Sequence, residues 1–229
     1  HSEREISLLL MKLYHAVHNL PEPLPAPLSA PVPFPNWTPE KVRLLSLVSG
    51  VEARSTVQYG QFCYKFLIGF SDVQVYRDAK EAISQLHVMC IFPVPPSSHI
   101  FAVRLPYIRD VGNISAEPTH FLVLIDQLQQ FHRHGMVHGD ICRSNLLLAS
   151  DPSKSLLIGF DCASPCGTRY SSNYTSSLPE RHPIAKAGQE MRPEHDIHSL
   201  LYIVSGIREA KNELTDAKWD VVVQQLQQH

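Results

Sequence analysis

Between Pro118 and Asp161 the hydrophobic period of the chain changes twice, which limits the available folds more than any other stretch does. "PTHFLVLIDQLQQFHRHG", 118–135, places apolar residues at helical spacing and closes on a glycine, as a long helix does. The polar stretch "VHGDICRSN" follows. Two short apolar runs, "NLLLA" and "SLLIGF", then flank the turn "SDPSKS" and read as short buried strands. The second run stops abruptly in "LLIGFDCA" on a glycine, an aromatic and an acid. Catalytic and metal-binding carboxylates favour such strand ends. Either Asp161 does chemistry, or Gly159 marks the place where a chemical group has been lost.

The rest of the chain orders itself around this passage. Residues 3–18 carry Ile6, Leu9, Leu10, Leu13 and Val17 at the spacing of an amphipathic helix. Residues 21–39 hold 8 of the 18 prolines, which forbid helix and remove ladder donors, so an extended linker is expected. Short apolar runs from Lys41 to Val75, among them "QFCYKFLIGF" and "DVQVY", read as consecutive antiparallel strands. "RDAKEAISQLHVM", 77–89, has helical period, and "HIFAVRLPYI", 99–108, is strand again. Residues 164–178 read as a Ser/Thr/Tyr-rich loop, and helices near 195–208 and 213–228 finish the chain. The expected organisation is an N-terminal helix over 1–20, a linker over 21–40, a β-rich lobe over 41–112 and a helical lobe over 113–229.

Composition narrows the function classes. At 229 residues, 44% hydrophobic and 18% charged, the chain has a globular composition and can bury a substantial core. A net charge of −2 gives no indication of nucleic acid as a partner. No apolar run approaches the length of a membrane span. Five scattered cysteines fit reduced intracellular thiols rather than a disulfide framework. His132, His134 and His138, and the pair Cys162 and Cys166, lack a full ligand set at zinc spacing. The beginning "HSEREISLLLMKLY" suggests a piece of a larger protein with further domains.

A helix, then H-x-D-x4-N, then two short strands ending at G-F-D, resembles the catalytic segment of protein kinase-like domains. The likeness continues through Gly167–Thr168, "LPE" at 178–180 and the helix opened by "HDIHSLLYIV" with Asp196. Upstream, Lys65 in "FCYK" and Glu81 in the next helix fit it as well. "HGDICRSN", "GFDCA" and "ERHPIAKAGQEMRPEHDIHSLL" look most similar to the compact Crinkler (CRN) effector-type kinase-like domains. The resemblance implies an α+β, two-lobed kinase-like fold with a small β-rich N-lobe and a shortened helical C-lobe. It implies ATP and magnesium as cofactors. Asp140 would be the base for the attacking hydroxyl, Asn145 a magnesium ligand, and Lys65 a phosphate contact paired with Glu81. Gly50, Arg54 and Val57 would lie against the nucleotide, and His138 and Asp196 would brace the catalytic loop.

The chain departs from an active kinase in three places. In the D-F-G register the metal-binding aspartate is Gly159, and Asp161 stands where the glycine belongs. Two residues of extended chain span about 6.5 Å, so Asp161 replaces the lost ligand only if the loop refolds. The glycine-rich loop is reduced to "SGVEARSTV", with Gly50 alone retained and Glu52 and Arg54 added. Gly139 replaces the arginine before the catalytic aspartate, and Cys142 replaces the lysine two residues after it.

Three functional readings follow. The first is an impaired, pseudokinase-like regulatory or binding module whose ancestral reaction is ATP-dependent phosphoryl transfer to protein Ser/Thr. The second is an active atypical Ser/Thr kinase using Asp140 as base and Asp161 as a displaced metal ligand. The third is a non-catalytic interaction domain with the proline strap as ligand. Each implies a protein substrate or partner and no membrane. If Crinkler-like, the parent would act in the nucleus or cytoplasm of a host cell after secretion.

Overall fold

The computed structural model describes residues 42–46, 56–59, 61–68, 70–93, 100–172, 174 and 177–228. The segments expected as an N-terminal helix and a proline linker, together with Gly50 and Arg54, lie outside them. The described residues divide into two compact units: one holds those up to Val73 and those within Val88–Tyr107, the other Gln74–His87 and those from Ile108 onward.

The first unit is a five-stranded antiparallel sheet in the order β1-β2-β3-β5-β4. Its strands are β1 (Val42–Ser46), β2 (Thr56–Tyr59), β3 (Phe62–Ile68), β4 (Cys90–Pro93) and β5 (Ile100–Pro106). Tyr64 and Leu67 of β3 and Phe101, Ala102 and Val103 of β5 are buried, so the core of the sheet lies along these two strands. Seven residue pairs, Phe62↔Pro106 through Ile68↔Ile100, align them. β4 is an addition to the sequence reading, which assigned no element to residues 90–93.

"DVQVY" is not a strand. It belongs to α1 (Phe70–Ala82), which a 3-10 turn at Ser84–Val88 extends. The alternation of Val73 and Val75 imitates a strand, but the buried residues are Val73, Tyr76, Ala79, Ile83 and Leu86. Steps of three and four mark one face of a helix, and burial of that face outweighs the β preference of valine.

The second unit is built around α2 (Pro118–Arg133), whose residues Phe121, Leu124, Ile125, Leu128 and Phe131 are fully buried. Pro118 opens the helix, where its missing N–H costs nothing. The Glu117 N–H donates to His120 Nδ1 (2.9 Å), and His120 Nε2 lies 2.9 Å from the Ala149 carbonyl. Gln127, also fully buried, donates to the Ser155 carbonyl (2.7 Å) and accepts from the Leu157 N–H (2.9 Å). This amide replaces the missing neighbour strand along residues 155–157.

Two minimal ladders follow. β6 (Met136–Val137) pairs with β9 (Ser164–Pro165), and β7 (Leu146–Leu147) pairs with β8 (Leu156–Leu157). α3 (Pro193–Ala210) and α4 (Ala217–Gln227) complete the unit. Trp219 of α4 is fully buried against Phe121, with ring centroids 5.5 Å apart, and donates to Glu213 (2.6 Å). Among the described residues no helix is long and apolar enough to cross a membrane.

Candidate active site

The loop His138–Asn145 runs from β6 to β7, and the turn Ile158–Ala163 runs from β8 to β9. Their ends are therefore held by the two ladders, and direct bonds bring them together. The Ile158 N–H donates to the Asn145 carbonyl (2.9 Å), and His138 Nε2 reaches the Ile158 carbonyl at 2.9 Å.

Asp196, buried in the first turn of α3, fixes the start of the loop. Its carboxylate accepts the backbone N–H groups of His138 (2.7 Å) and Gly139 (2.9 Å), and His132 Nε2 at 2.9 Å. His138 is fully buried, and burial lowers its pKa against the attraction of Asp196, Asp140 and Asp161. The neutral ring fits its contacts: Nδ1 accepts the Asp140 N–H (3.2 Å), which leaves Nε2–H to donate to Ile158. Both bracing residues stand where the sequence reading expected scaffolding.

Asp140 and Asn145 meet. The Asn145 amide nitrogen donates to the Asp140 carbonyl and to its carboxylate, each at 2.8 Å. The other carboxylate oxygen of Asp140 takes a short ion pair from Arg181, whose side chain is only 6% exposed. Sequence reading missed Arg181, although it directly follows the quoted "LPE". Nothing local ties it to an acid 41 positions away. Burial works against its charge, but the Asp140 carboxylate outweighs this and raises its pKa. The Cys142 pKa is pushed up as well, since burial and Asp140 favour the neutral thiol.

Gly159 adopts φ +78°, and a Cβ built on it would overlap the side-chain amide of Asn145, with Nδ2 at 2.9 Å. Gly139 has φ +72°, and its Cβ would sit 3.0 Å from the Cys162 carbonyl. Both positions that the sequence reading took as departures from the kinase motif are thus ones where a side chain meets backbone strain and contact.

Phe160 is buried between Phe131 (5.3 Å), His138 (5.0 Å) and Tyr76 of α1 (5.9 Å). The next residue, Asp161, accepts a hydrogen bond from the Tyr76 hydroxyl at 3.0 Å. A magnesium ion needs several oxygens in strict octahedral array. Here position 159 offers no carboxylate and no room for one, Asn145 turns its amide nitrogen to Asp140, and Asp161 faces Tyr76. These residues do not fit a bound magnesium as they stand. Among the described residues no group of three or more His, Cys, Asp or Glu side chains is placed to hold a metal.

Lys65 sits on β3 of the first unit, opposite Thr56 and Val103. Glu81 is exposed near the end of α1, in the second unit. Val57 is described through its backbone on β2, opposite Tyr64.

No family model matches the chain, and no curated protein matches its sequence. Among solved structures it is similar to the kinase PK-1 of Cydia pomonella granulovirus. The two are 13% identical, over 90% of this chain and 75% of that chain, with a TM-score of 0.55. At that identity the likeness speaks for the fold alone. The chain has an α+β, protein kinase-like fold.

Proposed function

We propose that this is a kinase-like domain of the Crinkler type in which ATP-dependent phosphoryl transfer to protein Ser/Thr is impaired. Its work would be that of a regulatory or binding module toward a protein partner, inside a cell that the parent protein acts upon. The observation that carries this reading is the contact of Gly159 with Asn145. The missing carboxylate is not simply absent, because the neighbouring amide fills its space.

One observation favours the second reading, an active atypical Ser/Thr kinase. Asp140 and Asn145 are brought together at 2.8 Å, and the Asp140 side chain keeps 27% of its surface exposed. A carboxylate so placed can still accept the proton of a substrate hydroxyl.

Titration with ATP, with and without magnesium, followed by thermal unfolding, separates the two. It should be paired with transfer of labelled γ-phosphate by wild type, Asp140→Ala and Asp161→Asn. The impaired reading expects no magnesium-dependent stabilisation and the same low label in all three. Strong transfer by wild type that disappears in Asp140→Ala would establish the active kinase instead.

A further inference from the structure

The turn Leu178–Ala185 hangs from two fixed points. At one, the buried Arg181 is ion-paired with Asp140. At the other, Ala185 is packed with Val137, Tyr170 and Met191 in a small core. Between them His182 lies against the start of α3. Its ring stacks on His195 at 4.8 Å and meets His198 edge-on at 4.9 Å.

His182 is also part of the bonding of the turn. The Arg181 N–H donates to the Leu178 carbonyl (3.0 Å), and the Ala185 N–H to the His182 carbonyl (2.8 Å). The Ile184 N–H donates to His182 Nδ1 (3.2 Å). That bond needs the neutral ring with its proton on Nε2, since a charged imidazole carries hydrogen on both nitrogens. Charging His182 therefore removes an acceptor from the turn and sets a cation against two more histidines. His195 differs: its Nδ1 lies 3.0 Å from the Tyr170 hydroxyl, which can donate to that nitrogen or accept from it. Around the stack, Glu194 favours the charged form of both rings and Asp196 that of His195, while Arg192 opposes it. Burial and the neighbouring histidines outweigh these acids, and the pKa of both rings is lowered.

We propose that His182 is a proton-operated latch: charging its ring detaches the turn Leu178–Ala185 from α3 and withdraws Arg181 from Asp140. With the ring neutral the latch is closed, and the arginine covers one oxygen of the carboxylate. Acid opens it and leaves Asp140 without its counter-ion. An opened ring takes up its proton near the ordinary value of about 6.5. The open fraction then grows by up to about tenfold per pH unit below that value. The latch involves no nucleotide, so it stands or falls apart from phosphoryl transfer.

The test follows the whole chain by NMR between about pH 7.5 and about pH 5.5. Ring carbons report the charge of His182, and the carboxyl carbon of Asp140 reports the loss of its partner. Hydrogen exchange, corrected for the intrinsic effect of pH, reports the turn. Protection of the Ile184 and Ala185 N–H groups should fall by about fivefold to tenfold on acidification. The Asp140 signal should move with the same midpoint as the His182 ring. In His182→Asn, whose amide oxygen can still accept from Ile184, both changes should vanish. Changes of equal size in His182→Asn overturn the proposal. So does an Asp140 signal that stays in place while the His182 ring charges. Ile184 and Ala185 protected no less than Leu157, whose N–H is bonded to the buried Gln127, would mean that the whole unit opens, and would also overturn it. If His182→Asn fails to fold, the wild-type midpoints decide, and the latch requires that they coincide.

Discussion

The Asn145 side chain occupies the space that a side chain on Gly159 would need. Its amide is not free to swing away, since it is bonded twice to Asp140 at 2.8 Å. Restoring the carboxylate by Gly159→Asp is therefore expected to harm the protein rather than revive it. The left-handed backbone, at φ +78°, adds about 1–3 kcal/mol of strain for any non-glycine residue. Thermal unfolding of Gly159→Asp should fall by several degrees, with no magnesium-dependent gain on adding ATP. A variant that keeps wild-type stability and acquires that gain would contradict this account.

The same contact predicts coupling. Gly159→Ala adds one carbon where Asn145 stands, and Asn145→Ala removes the atoms in its way. Residues that share a contact depart from additivity by about 0.5–3 kcal/mol. The double variant should be more stable than the sum of the single losses implies, with only the backbone strain of position 159 left from Gly159→Ala. Urea unfolding of all four proteins measures this, and strict additivity would show that Asn145 yields freely.

The Tyr76 hydroxyl donates to Asp161 across 85 positions of sequence. Tyr76→Phe keeps the ring against Phe160 and removes this donor, at an expected loss of about 1 kcal/mol. Were Asp161 a displaced magnesium ligand held back by Tyr76, this variant would bind ATP more tightly with magnesium than wild type. The impaired reading expects no such gain, and calorimetric titration distinguishes them.

How much of this was legible depended on the range of each signal. The helix around Phe121 and Phe131 and the paired runs after it follow from local period, and they could be read directly. Asp140, Asn145 and Asp196 were singled out by the resemblance of their motifs to kinase-like domains. Tyr76 was hidden because Val73 and Val75 alternate like a strand. The longer pattern through Ile83 and Leu86 shows the helix once the window is widened. Arg181 was invisible for a different reason: its role comes from an ion pair that only the folded chain creates. The conflict between Gly159 and Asn145 is likewise a matter of distance, so sequence reading expected a carboxylate to be missing at position 159 but could not see the amide that fills the space beside it.

Asp196 tests the scaffold apart from the chemistry. Asp196→Ala would strand the N–H groups of His138 and Gly139, both directed at the carboxylate inside the fold. An unsatisfied buried donor costs about 1–3 kcal/mol, so a loss of at least about 2 kcal/mol is expected in urea unfolding. Asp196→Asn keeps one acceptor oxygen and should lose less. Equal losses would mean that side-chain volume, rather than these bonds, holds the loop.

Stability should also depend on pH through His138. Burial lowers its folded pKa below the unfolded value of 6.5, so the unfolded chain binds the proton more readily. The sign follows directly: above that value both states are neutral and nothing changes with pH. Below it the folded state loses stability by up to about 1.4 kcal/mol per pH unit for this one proton. Asp196, Asp140 and Asp161 all favour the charged ring, but burial outweighs them. His182 and His195, stacked at 4.8 Å and both shifted downward by burial and by neighbouring histidines, act in the same direction. Urea midpoints between pH 8 and 5 should stay level and then fall below about 6.5. In His138→Gln, whose amide carries no titrating proton, the fall should be shallower. A midpoint that rises on acidification would show that the carboxylates, not burial, govern this ring.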